Sequence, residues 1–251
     1  MSLKPDITMS YWTRIGMLTP SSFAVLEPMT ARILAPFGNA VTAHFARFLV
    51  TQISMDQGSQ NQFKLDPILA AADLLSDAHS DVIAWNGTSA SWLGFHTDEA
   101  LVQAIRTRTG IEATSTILAL NKAIRLLGLR RLGLVTPYLS EIQDRLIANH
   151  EQIDVEIVAD RRLKDRGNFC FACYSPRLVA DLIREAADAR PDAIAVVCTN
   201  FRGADLIEQV ERETGVIVLD SAVVTLWDTL RMCRRDPTRI TKWGRLLREG
   251  K

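Results

Sequence analysis

The sequence predicts an α/β protein of two pseudo-symmetric lobes, each a mainly parallel sheet flanked by helices, with a ligand cleft between them. Three observations predict it. Strand-length apolar runs alternate with longer segments of helical period, the chain repeats itself once, and polar residues recur where strands pass into helices. Alternation of this kind gives parallel sheets covered on both faces.

The strand-length runs fall at 14–19, 41–50, 82–86, 132–136, 154–158, 193–198 and 216–219. Ile68, Leu69, Ala72 and Leu75 share a helical face, and Asp66-Pro67 before them is a start signal. Ile117, Leu120, Ile124 and Leu127 do the same, with Gly128 as the stop. Leu178, Leu182 and Ala186 mark a third helix ending near Pro191. Leu206, Val210 and Glu213 mark a fourth before Gly215. Arg161 to Ser175 has no regular period and mixed charge, which reads as a surface loop or lid.

The repeat is visible in three pairs. Arg14-Ile15-Gly16-Met17-Leu18-Thr19-Pro20 matches Arg131-Leu132-Gly133-Leu134-Val135-Thr136-Pro137. Asp81-Val82-Ile83-Ala84 matches Asp192-Ala193-Ile194-Ala195, and Thr109-Gly110-Ile111 matches Thr214-Gly215-Val216. The pairs occur in the same order at offsets of 117, 111 and 105 residues, as expected of a duplicated half with small insertions. The expected division is a first lobe of residues 1–114 plus 221–251 and a second lobe of 115–220.

In open α/β sheets, ligands bind beyond the carboxyl ends of the strands. There the repeats place Ser21-Ser22, Gly87-Thr88-Ser89, Thr136-Pro137-Tyr138 and Cys198-Thr199-Asn200. Helix N-termini at these points would suit a small carboxylate; the same Ser, Thr and Asn residues also serve as ordinary caps, as does Glu27. Cys198 ends an apolar strand and opens a turn, where a thiol at a helix N-terminus can have a lowered pKa and act as thiolate nucleophile or base; a buried, inert cysteine is the alternative. Its counterpart in the first half is Gly87. Trp85 and Trp92 flank Gly87-Thr88-Ser89 and suit either the wall of an aromatic-friendly pocket or plain core packing near a cleft.

Composition excludes several classes. The 251 residues carry 29 basic and 29 acidic side chains, so no global charge favours nucleic acid. No apolar run reaches a membrane span, and the start of the chain has no secretory pattern. Four cysteines form no disulfide framework. A cytoplasmic protein with reduced thiols is the expectation. Cys170-Phe171-Ala172-Cys173 lacks a second pair or a His-x₃-His partner, so it reads as loop packing rather than metal or redox chemistry. Cys233 reads as structural. Gly16 and Gly133 begin no dinucleotide fingerprint. Arg234, Arg235, Lys242, Arg245 and Arg248 read as a basic C-terminal helix with a solvated face or an oligomer contact.

The Arg14–Ser22, Asp81–Ser89, Leu134–Tyr138 and Cys198–Asn200 motifs, in this order, resemble the aspartate/glutamate racemase superfamily. The branch is the one holding maleate cis-trans isomerases, ectoine-utilisation proteins and arylmalonate decarboxylase. The resemblance covers nearly the whole chain. It implies two Rossmann-like lobes, a small acid in the interlobe cleft, and no cofactor or metal. No nucleic-acid or membrane partner is implied, and a homo-oligomer is compatible with it.

Racemases and maleate isomerases of this superfamily use two cysteines, one per lobe. Here Gly87 stands at the first position and Cys198 alone remains, as in arylmalonate decarboxylase. The resemblance then assigns a dioxyanion hole to Thr88, Ser89 and Tyr138. Phe23 stands where maleate isomerases carry a carboxylate-holding Asn, which speaks against maleate itself and for a less polar or differently shaped pocket.

The family-level expectation is therefore a cofactor-independent racemase or isomerase-type enzyme acting on a small carboxylic or dicarboxylic acid. Cys198 is its catalytic residue, and Ser21, Ser22, Gly87, Thr88, Ser89, Tyr138, Thr199 and Asn200 form the binding site. The alternatives are a decarboxylase of malonate-type acids and a carboxylate binder without turnover.

Overall fold

The computed structural model describes residues 12–50 and 65–250. Residues 1–11 of the expected first lobe, the segment 51–64 and residue 251 lie outside the described residues. Two four-stranded parallel sheets form the frame. The first holds β1 (Thr13–Pro20), β2 (Val41–Phe48), β3 (Val82–Trp85) and β4 (Ala113–Ser115), in the order β2-β1-β3-β4. The second holds β5 (Arg131–Thr136), β6 (Glu156–Arg162), β7 (Ala193–Val196) and β8 (Ile217–Asp220), in the equivalent order β6-β5-β7-β8. The central strands β3 and β7 are buried along their whole length, which is why they read as unbroken apolar runs.

Each repeated motif has a packing reason. Gly16 pairs with Ile83, and Gly133 with Ile194, at the same register. A Cβ on Gly16 would meet Leu75 and Ile83 at 3.2 Å, and one on Gly133 would meet Ile194 at 3.2 Å and Ala186 at 3.3 Å. The glycines let a helix lie close on its strand, which is their role in place of phosphate binding. Asp81 accepts the Arg14 N–H at 2.7 Å, and Asp192 accepts the Arg131 N–H at 2.8 Å, pinning the starts of β1 and β5. Gly110 and Gly215 end their helices in the left-handed conformation, at φ 70° and 73°. The preceding Thr109 and Thr214 hydroxyls each donate to the carbonyl four residues back.

Ten helices cover the sheets among the described residues. They are α1 (Leu26–Leu34), α2 (Leu65–Asp77), α3 (Ala90–Leu93), α4 (His96–Thr109), α5 (Thr116–Leu126), α6 (Ser140–Glu151), α7 (Pro176–Ala187), α8 (Ile207–Thr214), α9 (Ser221–Met232) and α10 (Leu246–Glu249). In α2 the buried face is Ile68, Ala71, Ala72 and Leu75. In α5, Ser115 caps the first turn by accepting the Leu118 N–H at 3.1 Å, and Ile117, Leu120 and Ile124 are buried.

Three expectations are corrected. The buried face of α7 is Val179, Ala180, Ile183 and Ala186, with Leu178 exposed, because the helix begins at Pro176 after the Ser175 cap and turns that face to the sheet. In α8, Glu213 is outside and pairs with Arg184 at 2.7 Å, while Ile207 and Val210 are buried. The basic C-terminal segment is not one helix. Helix α9 stops at Met232, Arg234 takes φ 53°, and Pro237 opens a 3₁₀ turn, so only the short α10 follows.

Helix α9 packs against β3, β4 and α5, so the chain after Asp220 crosses back to the first sheet. Lys122 of α5 meets Asp228 of α9 at 2.7 Å, and the Thr116 and Thr225 hydroxyls share a bond of 2.8 Å. No helix among the described residues is long and apolar enough to cross a membrane.

Candidate active site

The carboxyl ends of β3 and β7 face each other across the lobes. Register makes Trp85 the counterpart of Val196, since each pairs with the strand residue two after the close-packed glycine: Leu18 in β1 and Val135 in β5. Counting on, Gly87 is the counterpart of Cys198 and Thr88 of Thr199. The pairing read from sequence is thus also the pairing in space.

Cys198 is buried. Its N–H donates to the Ser221 hydroxyl at 3.1 Å, and that hydroxyl donates to the Val196 carbonyl at 2.9 Å. The sequence pattern places Cys198 at a helix N-terminus. Instead a turn and a 3₁₀ segment follow it, and α8 starts only at Ile207. Burial pushes the thiol up to about 12, although the Asn200 backbone N–H and the Tyr138 hydroxyl, both hydrogen-bonded to sulfur, oppose this. At neutral pH the group is therefore a thiol. Tyr138, from the β5–α6 loop, is itself raised well above its ordinary value, first by burial and then by the sulfur beside it. The Tyr138 and Thr88 hydroxyls lie 2.6 Å apart. The Thr88–Tyr138 bond thereby spans the two lobes, with the Cys198 sulfur beside the Tyr138 hydroxyl.

The other expected residues divide. Ser89, at the start of α3, is buried and lines the same small cavity as Thr88 and Tyr138. The Thr199 hydroxyl donates to the Asn86 carbonyl across the lobes at 2.7 Å. Asn200 is engaged at both ends of its amide. Its oxygen accepts the Ala24 and Val25 N–H groups just before α1 at 3.0 and 3.3 Å, and its nitrogen donates to the Asn168 carbonyl at 2.7 Å. Asn200 is thus an interlobe latch in this state. Ser21 and Ser22 do not cap α1. Their hydroxyls bond the backbone of Val50, accepting its N–H at 3.3 Å and donating to its carbonyl at 2.8 Å. Glu27 caps nothing either, being paired with Arg47 at 2.6 Å.

Asn168 is legible in the sequence only as part of an irregular loop. It is buried, donates to the Ser22 hydroxyl at 3.0 Å and lines the cavity. Of the loop expected at 161–175, Arg161 and Arg162 belong to β6, and the part around Asn168 is strapped into the cleft. Its Phe171 is fully buried with its ring 5.8 Å from that of Tyr138. Cys170 and Cys173 lie exposed on either side of it.

The cavity holds about 10 Å³, room for a single water at most. Its apolar walls are Pro20, Phe23, Val50, Trp85 and Trp92. Trp85 and Ser89 also border a larger cavity of about 360 Å³, whose wall includes Asp98. Burial raises the Asp98 carboxyl to about 7, partly offset by a bond with Ser115, and one of its oxygens has no partner.

The folded chain thus holds the Asp98 proton more tightly than the unfolded chain does. This contribution is full below the ordinary carboxylate value of 3.8 and is lost as pH rises through about 7. Asp98→Asn is expected to raise Tm at pH 8 by roughly 5 °C and to flatten the fall in Tm between pH 4 and 8. Thermal unfolding across that range checks it, and superimposable curves for both proteins would refute it.

The family model for arylmalonate decarboxylase matches residues 25–247. This chain belongs to the arylmalonate decarboxylase family. Arylmalonate decarboxylase from Bordetella bronchiseptica is 27% identical over 234 residues, covering 89% of this chain and 98% of that protein. A crystal structure of arylmalonate decarboxylase superposes with a TM-score of 0.74 at 26% identity, covering 94% and 99% of the two chains. A Nocardia farcinica maleate cis-trans isomerase variant, solved with a covalently bound succinylcysteine intermediate, has a TM-score of 0.84 at 23% identity, over 94% and 98%. That likeness establishes a common two-lobe fold. These family members are enzymes acting on small acids.

Proposed function

We propose that this member of the family is a cofactor-independent decarboxylase of malonate-type acids. The observation that carries the reading is a single cysteine buried in the cleft opposite a glycine, where burial favours the neutral thiol. A proton donor suits decarboxylation. The C–C bond to one carboxylate breaks, CO₂ leaves, and the electron pair stays on the α-carbon and the remaining carboxylate as an enediolate. The Thr88, Ser89 and Tyr138 hydroxyls donate to the enediolate oxygens, the largest expected stabilisation. The Cys198 S–H bond then breaks, its proton forms the new C–H bond, and solvent reprotonates the thiolate. The apolar walls Phe23, Trp85 and Trp92 support a substrate with an apolar substituent. To admit it, the substrate carboxylate displaces the Thr88–Tyr138 bond and the Asn168 strap gives way.

Isomerisation of a maleate-type acid is the second reading. The two donors on the Cys198 sulfur favour it, because they would stabilise a thiolate that adds to a double bond. Proton NMR in D₂O with phenylmalonate, alkylmalonates and maleate separates the two. The expected result is conversion of phenylmalonate to α-deuterated phenylacetate. Appearance of fumarate with malonates untouched would replace the decarboxylase reading with the isomerase one. No conversion of any of these acids would reject both readings.

A further inference from the structure

We propose that Trp85 is the stereochemical guard of the site: its indole keeps proton donors, side chain or water, off the Gly87 face of the reacting carbon. Protonation is thereby left to Cys198. The inference rests on the reading above and deepens it.

Three observations carry it. The strand registers make Gly87 the spatial counterpart of Cys198, so the two positions look at a bound acid from opposite lobes. Trp85, the counterpart of the small Val196, folds back over that glycine. A Cβ at position 87 would fall 1.8 Å from Cζ2, 2.2 Å from Cε2 and 2.6 Å from Cη2 of the indole, so the ring occupies the volume that any side chain at 87 would need. The ring is also a partition. It borders both the small cavity lined by Gly87, Thr88, Ser89 and Tyr138 and the neighbouring one of about 360 Å³, and it is held by Phe48, with ring centroids 5.1 Å apart. Shortening Trp85 joins the two spaces and brings water to the face opposite the thiol. The chemistry of the bond-forming step is unchanged. Only the source of the proton differs, a thiol S–H on one face or a water O–H on the other.

The test uses α-methyl-α-phenylmalonate, whose product has a stereocentre at the protonated carbon. Wild type is expected to give one enantiomer in large excess. Trp85→Ala also removes a wall of the pocket and should turn over more slowly, but in the product it does form the enantiomeric ratio should fall at least tenfold, about 1.4 kcal/mol of lost discrimination. Trp85→Phe should keep most of the ratio. A merely structural role would lower the rate and leave the ratio alone, so an active Trp85→Ala with the wild-type ratio overturns the proposal.

A second measurement needs neither turnover nor Trp85→Ala. Gly87→Cys should lower Tm by roughly 3–10 °C when Trp85 is present, and by much less in a Trp85→Leu background. Equal losses in the two backgrounds would overturn the steric claim. If wild type leaves the malonate untouched while this coupling holds, the decarboxylase reading fails and the occupancy of the Gly87 face by Trp85 stands.

Discussion

Cys198→Ala is expected to lower the decarboxylation rate by about 10³-fold, the usual scale of a positioned general acid. Its Tm should stay near that of wild type. The side chain is small and buried, its backbone N–H bond to Ser221 does not involve the sulfur, and the lobes are latched elsewhere. Chirally resolved product assays and thermal unfolding of the same preparation check both halves. A variant that keeps its rate would remove Cys198 from the mechanism. A variant that loses rate and Tm together would make its role structural.

The same residue should resist alkylation. Fast labelling of Cys198 by iodoacetamide near neutral pH is what a low-pKa catalytic thiol would give. With the thiol raised to about 12 and buried, exposed Cys170 and Cys173 should label first and Cys198 last. Sluggish labelling is therefore no sign of a mere binder here. It is the behaviour expected of Cys198 under the proton-donor reading proposed above.

Much of this is readable from the sequence because it is local. The three repeat pairs survive in both halves since each acts over a short range. Gly16 and Gly133 permit close strand–helix packing, Asp81 and Asp192 pin strands, and Gly110 and Gly215 terminate helices. Gly87 and Cys198 can be paired by counting alone. What stays hidden depends on tertiary approach. Strand β4 is three residues long, too short for a period. Helix α9 is buried on nearly every side, so it shows no amphipathic stripe. Asn168 is a polar residue in an irregular stretch, and only the folded chain shows it reaching Ser22. Asp98 looks like an ordinary acid in the first turn of α4, where the helix dipole favours one. Ser21, Ser22 and Asn200 are visible as polar residues at strand ends, but their partners, Val50 and the start of α1, are set by how the lobes meet.

Tyr138→Phe should cost about 10²-fold in kcat with a smaller change in KM if, as proposed, its hydroxyl serves an enediolate more than the ground-state acid. The hydroxyl sits between Thr88 at 2.6 Å and the Cys198 sulfur, so its removal acts on both. It takes one donor from the oxyanion pocket, and it takes one of the two bonds that restrain the rise of the thiol pKa. A still weaker acid would give up its proton more slowly, so the two losses add in the same direction. The ring remains to pack against Trp92 at 5.2 Å and Phe171 at 5.8 Å, so the fold should hold. Steady-state kinetics of Tyr138→Phe, Thr88→Val and the double variant separate the contributions. If the hydroxyls act as one donor chain, the double variant should lose little more than the worse single one. Fully multiplicative losses would mean that each holds the acid independently, and an unchanged kcat in Tyr138→Phe would take the hydroxyl out of the reaction.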